Sequence, residues 1–188
     1  MKNPKVAIIT GSSTGVGAAT AISLARRSWN VVINYSRSKT EAEETAKRCK
    51  SNGTDALIIE ADVSNDEQCT NMVSQTIARW GRLDALVNNA GTTKFCDYGN
   101  LEGLSKKDFL DLYEVNVVGA YQMSKHAAPY LRTLNGCIVN TSSISATAIA
   151  KPPSCEMLIL ILSVTSSKGE ELTNGFPFSL FKISISLK

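Results

Sequence analysis

Residues 10–17 read Thr10-Gly11-Ser12-Ser13-Thr14-Gly15-Val16-Gly17, and they follow directly on the short apolar run Val6-Ala7-Ile8-Ile9. A strand that ends in a glycine-rich turn and opens a helix makes a phosphate-binding device. The first N–H groups of such a helix lack an intrahelical partner and carry partial positive charge, so a diphosphate can settle against them. Glycine is needed where the turn takes positive φ and where a side chain would push the ligand away. The spacing G-x-x-x-G-x-G is one residue wider at the front than the G-x-G-x-x-G dinucleotide fingerprint. Alone, the cluster could be an ordinary turn; between a strand and a helix it points to a nucleotide. Gly11, Ser13, Gly15, Val16 and Gly17 are its candidate cofactor-binding residues.

Outward from this turn, strands and helices alternate through the first three-quarters of the chain. Apolar runs predict strands over 6–10, 31–34, 56–59, 83–87 and 137–140. A helix over 15–27 would place Val16, Ala19, Ile22 and Ala25 on one face. A second runs over 39–50 and stops near Asn52-Gly53. Ser64-Asn65-Asp66-Glu67 reads as a capping box for a third, which reaches Trp80-Gly81. Ser105-Lys106-Lys107-Asp108 caps the next, and a longer helical stretch covers 117–134. Strands parted by helices imply parallel pairing with right-handed crossovers, hence a Rossmann-like, doubly wound α/β fold of three layers.

Six segments carry a resemblance. They are Thr10-Gly11 with Gly15-Val16-Gly17, Asp62-Val63, Gly81-Arg82-Leu83-Asp84, Asn88-Asn89-Ala90-Gly91, Asn116-Val117-Val118-Gly119, and Ile138-Val139-Asn140-Thr141-Ser142-Ser143. In order and spacing over about residues 4–148 the chain resembles the short-chain dehydrogenase/reductase family, especially members similar to bacterial 3-oxoacyl-acyl-carrier-protein reductases. The resemblance implies hydride transfer between a nicotinamide cofactor and a small carbonyl or alcohol substrate. It also implies that Asp62 and Val63 contact the adenine; the plain alternative for Asp62 is a helix cap. Asn89, Ala90 and Gly91 are candidate cofactor-binding residues at the carboxyl edge of the sheet: the small Ala90 and Gly91 would let backbone approach the cofactor's ribose, while the asparagine amides brace neighbouring strands and loops.

Cofactor choice is read at the end of the second strand. NAD-dependent enzymes place a carboxylate there for the ribose 2′-hydroxyl. Here the residues are Tyr35-Ser36-Arg37, with no carboxylate until Glu41. Arg37 offers a planar cation for a 2′-phosphate and Ser36 a small donor, so the expected cofactor is NADP(H) rather than NAD(H). The alternative for Arg37 is a solvated surface side chain.

For catalysis the family uses an asparagine, a serine, a tyrosine and a lysine. Asn116 matches the asparagine, and Ser143 matches the serine that would hydrogen-bond the substrate oxygen, with Ser142 as its rival. The tyrosine is missing. Thirteen residues after Ser143 stands Glu156, with Leu160 in the lysine place. A looser register finds Ser167-Lys168-Gly169 but puts Val164 in the tyrosine place, and no tyrosine follows Tyr130. A tyrosine of ordinary pKa near ~10, lowered by the lysine and the cofactor, would supply general acid catalysis worth roughly 10²–10⁴ in rate. Glu156 is shorter, and its carboxylate would stand near developing negative charge unless buried and protonated.

From Lys151-Pro152-Pro153 onward the family pattern stops, and its last strands and substrate-covering helices have no counterpart. Residues 1–150 read as a Rossmann domain and 151–188 as a divergent tail, two texts joined as after a frameshift, an alternative splice or a misjudged gene end. Within the tail, 180–188 has the alternation of a half-exposed strand. Loss of the later strands would leave the fifth strand as a sheet edge, and 157–164 as a surface prone to association. A homo-oligomer is possible, with an incomplete interface. Two classes follow: an NADP(H)-dependent reductase, or a catalytically silent dinucleotide-binding fragment.

Composition bounds the rest. A net charge of +3 is small and scattered, which argues against nucleic acid or membrane partners. Cys49, Cys69, Cys96, Cys137 and Cys155 contain no C-x-x-C pair, and with His126 the only histidine a zinc site is not expected. His126 reads as an ordinary helix-surface residue. The longest apolar run, 157–164, falls far short of the ~20 residues of a spanning helix. With no secretory leader read at residues 1–5, the expected location is cytoplasmic.

Overall fold

The computed structural model describes residues 3–97, 99–100, 102–142 and 164–166. Its strands are β1 (Val6–Ile9), β2 (Asn30–Tyr35), β3 (Ala56–Glu60), β4 (Ala85–Asn88), β5 (Cys137–Asn140) and β6 (Val164–Ser166). Its helices are α1 (Gly15–Ala25), α2 (Lys39–Lys50), α3 (Asp66–Trp80), α4 (Lys106–Tyr113) and α5 (Gly119–Thr133), with a π turn at Glu114–Val118 between the last two. The sheet order is β3-β2-β1-β4-β5-β6. The first five strands pair in parallel, so the order reverses beside β1, where β2 lies on one side and β4 on the other. Ligands of doubly wound sheets bind outside the carboxyl ends of the strands at such a reversal.

Period-two burial builds the three layers. Val6, Ile8, Val32 and Leu86 face α3 and α5, packing on Met72, Val73, Met123 and Leu131. Their neighbours Ala7, Ile9, Val31, Ile33 and Val87 face α1 and α2, packing on Ala21, Ile22, Ala42 and Ala46. Strands buried on both faces read as continuous apolar runs, which is why the sequence marks them so plainly.

Several expectations are corrected. In α1 the buried residues are Gly17, Ala18, Ala21, Ile22 and Ala25, whereas Val16 is 64 % exposed and Ala19 also faces solvent. The smallest side chains face inward because α1 crosses close over the glycine turn. Asn65, not Ser64, caps α3 by accepting from the Gln68 N–H at 3.0 Å. Ser64 is diverted, its hydroxyl donating to Asp62 Oδ1 at 2.7 Å. The helix expected over 117–134 begins at Lys106 and runs through the π turn. The Ser105–Asp108 capping box is present.

β5 is not an edge: β6 pairs with it antiparallel, in the register Cys137↔Ser166, Ile138↔Thr165 and Val139↔Val164. The expected strand over 180–188, the junction at 151–153 and most of the apolar run 157–164 lie outside the described residues.

Candidate functional site

At the carboxyl ends of β1 to β4 lies a cleft of about 660 Å³, within the range of about 300–1,000 Å³ usual for ligand sites. Gly11, Ser13, Ser36, Arg37, Asp62, Val63, Ala90 and Gly91 line it together. Gly15, Val16, Gly17, Asn89 and Asn116 do not line it but surround or support its walls.

The glycine turn is a close contact rather than a generic loop. Gly11 has φ +59°, and a Cβ there would sit 2.8 Å from the Ala90 Cα. A Cβ on Gly17 would lie 2.5 Å from the Gly11 carbonyl oxygen and 2.6 Å from Asn89 Nδ2. Gly15, at φ +57°, opens onto free space. The N-cap residue Thr14 makes no side-chain cap, and the first turn of α1 holds no acidic residue. Ala18 is the first residue whose N–H returns to the turn, donating to Thr14 O at 3.1 Å. Hence, among the described residues, the N–H groups of Gly15, Val16 and Gly17 find no backbone partner, the condition that suits an anion.

Three residues outside the candidate site residues hold this turn. Thr10 Oγ1 accepts from the N–H groups of Asn89 and Ala90, both at 2.9 Å, tying β1 to the segment after β4. Thr45 on α2 donates its hydroxyl to Ser13 O at 2.8 Å. Asn34, at the end of β2, accepts from the Gly11 N–H at 2.9 Å and donates to Ala61 O at 3.0 Å. A signal existed for two of them: Asn34 interrupts the apolar β2, and Thr45 stands among Ala42, Ala46 and Cys49 on the buried face of α2.

At the end of β2 the Tyr35 hydroxyl donates to Glu60 Oε2 at 3.1 Å, and burial with the Glu60 charge raises that phenol above its ordinary pKa. Ser36 and Arg37 follow, both exposed. Arg37 makes no ion pair or hydrogen bond among the described residues, so its guanidinium is free for a ligand at the cleft wall.

Asp62 is organised by its own loop, accepting from the Ser64 N–H at 3.0 Å and the Ser64 hydroxyl at 2.7 Å. Val63 packs under the start of α5, where a Cβ on Gly119 would meet its Cγ2 at 2.7 Å. Asn89 Nδ2 donates to Thr10 O at 3.0 Å and Gly11 O at 3.1 Å. Asn116, inside the π turn, clamps the residue after Gly91: Oδ1 accepts from the Thr92 N–H at 2.7 Å and Nδ2 donates to Thr92 O at 2.9 Å. Further out, Lys94 pairs with Asp108, and that lysine together with Ser105 holds the Asp108 carboxyl well below the usual carboxylate range. Ser143 lies outside the described residues, as do Glu156, Leu160 and Lys168.

Elsewhere, His126 pairs with Asp66 at 2.8 Å on the α3–α5 surface. Burial pushes the Cys69 thiol up to about 12, where it is inert as a nucleophile. Among the described residues no three His, Cys, Asp or Glu side chains group as metal ligands. No described helix is long and apolar enough to cross a membrane.

The described residues fit a dinucleotide on structural grounds. The uncapped start of α1 suits the diphosphate, Gly11 and Gly17 let the turn pack against Ala90 and Asn89 where a Cβ would collide, and the Arg37 guanidinium, without a partner among the described residues, stands at the end of β2.

Comparison with known proteins agrees with this geometry. The short chain dehydrogenase family model matches residues 5–152. A short-chain dehydrogenase/reductase of Pestalotiopsis microspora is 38 % identical over 148 residues, covering 79 % of this chain and 54 % of that protein. Versicolorin reductase 1 of Aspergillus parasiticus is 37 % identical over 142 residues, 76 % of this chain and 53 % of its own length. The chain thus spans about half the length of these curated relatives. The 3-oxoacyl-[acyl-carrier-protein] reductase of Staphylococcus aureus is 32 % identical over 178 residues, covering 93 % of this chain and 71 % of the enzyme, so that match runs past residue 152. Among solved structures, a short-chain dehydrogenase/reductase from Burkholderia xenovorans superposes with a TM-score of 0.76 at 34 % identity, over 80 % of this chain and 64 % of that one.

Proposed function

This chain belongs to the short-chain dehydrogenase family, and we propose that its cleft binds NADP(H) for hydride exchange with a small carbonyl or alcohol substrate. The observation that carries the cofactor choice is Arg37, a guanidinium on the cleft wall at the end of β2 with no ion pair or hydrogen bond among the described residues, with Ser36 beside it and no carboxylate in the chain from Tyr35 to Thr40. A planar cation pairs bidentately with a 2′-phosphate, and a dinucleotide without that phosphate gives it nothing to bind. In Arg37→Asp the affinity for NADPH is expected to fall by about tenfold or more relative to NADH. Fluorescence titration with both cofactors checks this, and an unchanged ratio overturns the NADP(H) assignment.

In this reading Gly11, Ser13 and the N–H groups of Gly15, Val16 and Gly17 hold the diphosphate. Asp62 and Val63 would face the adenine, and Ala90 and Gly91 the ribose, with Asn89 bracing the turn behind them. The bound nicotinamide would supply or accept the hydride. Asn116 keeps the Thr92 backbone fixed beside it, and Ser143 would hydrogen-bond the substrate oxygen. The proton is the weak point. Tyr35 lines the cleft, but its hydroxyl is committed to Glu60 and its pKa is raised, the opposite of what an acid near neutral pH requires.

A second reading, a catalytically silent dinucleotide-binding fragment, is favoured by the lack of any tyrosine after Tyr130. Single-turnover NADPH oxidation with a panel of small ketones is expected to run roughly 10²–10⁴ slower than in a relative that keeps the tyrosine. Binding without turnover supports the silent reading. Turnover at a relative's rate, lost in Ser143→Ala, overturns it. Free thiols at Cys49, Cys69, Cys96 and Cys137 go with a reducing, cytoplasmic setting. The exposed Phe109, Leu110, Tyr113 and Tyr121 along α4 and α5 are where a second copy would dock.

A further inference from the structure

Asn34 is 2 % exposed at the end of β2, whose backbone pairs with β1 and β3 whatever side chain stands there. An apolar residue would fill the site, and burying a primary amide instead is unfavourable unless both its halves find partners. Each half does, and on different segments. Oδ1 accepts from the Gly11 N–H at 2.9 Å in the phosphate turn, and Nδ2 donates to Ala61 O at 3.0 Å, one residue before Asp62. The Asn34 backbone is latched as well: its N–H donates to Ser12 Oγ at 3.0 Å, and its carbonyl accepts from the Ser12 N–H at 2.9 Å. The Ser12 hydroxyl in turn donates to Ile9 O at 2.7 Å, closing the latch on β1.

The three segments joined in this way are three walls of one cleft: the turn at Gly11, the Ser36–Arg37 corner and the Asp62–Val63 loop. We propose that Asn34, with Ser12 as its latch, is the positioning residue that fixes the phosphate turn relative to the corner after β2 and the loop after β3. It rests on the dinucleotide reading above. Neither side chain need touch the ligand. Their contribution is a site ordered before binding, so that the ligand does not have to order it.

Two variants and two readouts test this. In Asn34→Ala the dissociation constant for NADPH, read by fluorescence well below the melting temperature, is expected to rise about tenfold; in Ser12→Ala, about threefold. Amide exchange at Gly11 is expected to accelerate in Asn34→Ala and to change little in Ser12→Ala, whose Asn34 side chain is intact. A merely structural role lowers the melting temperature but leaves the affinity of the folded variants at the wild-type value, and that result overturns the proposal. Should Asn34→Ala not fold, Ser12→Ala decides: wild-type affinity there overturns the proposal, and a threefold loss supports it. Wild-type chain that binds no NADPH overturns the dinucleotide reading, and the proposal with it. Wild-type binding with both variants unaffected removes only the role of Asn34.

Discussion

Gly17→Val is expected to abolish NADPH binding and to lower the melting temperature by about 2–12 °C. The reason is local geometry. A Cβ at this position lies 2.5 Å from the Gly11 carbonyl oxygen, 2.6 Å from Asn89 Nδ2 and 2.8 Å from the Ser12 Cα. Two of the three are backbone atoms of the phosphate turn and cannot swing aside. Asn89 cannot yield cheaply either, because its amide bridges Thr10 O and Gly11 O. Overpacking of this kind costs about 1–3 kcal/mol, while the gain in helix propensity over glycine is below about 1 kcal/mol. The same collision displaces the carbonyl and N–H groups that shape the anion site, so binding falls further than stability. Gly15→Ala is the contrasting control: its φ of +57° strains an alanine, but no atom lies within 4 Å of the new Cβ. It should therefore disturb the fold by only about 1–2 kcal/mol. Circular-dichroism melting and NADPH fluorescence check both variants. A Gly17→Val protein that binds NADPH like wild type would remove the close-packed turn as the basis of the site.

The parts of this arrangement that the sequence reveals are those governed by neighbours along the chain. Apolar runs announce the five parallel strands because both sheet faces are covered, although they mark burial rather than pairing. Leu83 is fully buried yet lies before β4, which begins at Ala85. The Ser105–Asp108 box is local and is read correctly. What the sequence hides depends on distance. A helical wheel turns Val16 inward because it is large, but the first turns of α1 present Gly17, Ala18 and Ala21 to the sheet and turn and leave Val16 exposed. Ser64 is a good cap by type, yet Asp62 captures its hydroxyl and Asn65 takes the cap. The π turn inserts a residue into the i→i−4 ladder and rotates the faces on either side, so one continuous helical run from Lys106 to Thr133 reads as two. Asn34, Thr10 and Thr45 act across 23 to 80 residues of chain separation, and no local pattern records such partners. The glycine turn and the Ser36–Arg37 corner stood out by residue type and position, and Asp62, Val63 and Asn89 to Gly91 by family motifs, while the supports beneath them did not.

The opposite end of the sheet supplies a prediction of different character. Asp84 is 8 % exposed and joins three strands at their amino ends. Its Oδ2 accepts from the Val6 N–H at 2.8 Å, its own N–H donates to Val6 O at 2.9 Å, and its carbonyl accepts from the Cys137 N–H at 3.1 Å. Arg82 completes the set with a two-pronged contact, Nε to Oδ2 at 2.8 Å and Nη2 to Oδ1 at 2.6 Å. Such charge-assisted pairs are strong when formed and costly to break from one side. Asp84→Ala leaves the Val6 N–H without its Asp84 acceptor and leaves the Arg82 guanidinium, whose side chain is only 22 % exposed, with only its contact to Asn3 O at 3.2 Å. The loss is expected to be about 3 kcal/mol, toward the low end for a buried pair because Arg82 can partly rehydrate. That corresponds to about 6–12 °C in melting temperature for a chain of this size. Asp84→Asn keeps one acceptor for Val6 and should recover roughly half of the loss. Because Asp84 lies at the amino ends of the strands and the cleft at their carboxyl ends, the folded Asp84→Ala protein should bind NADPH with near-wild-type affinity. Asn34→Ala is expected to give the converse pattern, affinity lost in the folded fraction. Melting curves and titrations on the two variants side by side separate frame from site, and a loss of affinity in folded Asp84→Ala would show that the two ends of the sheet are coupled.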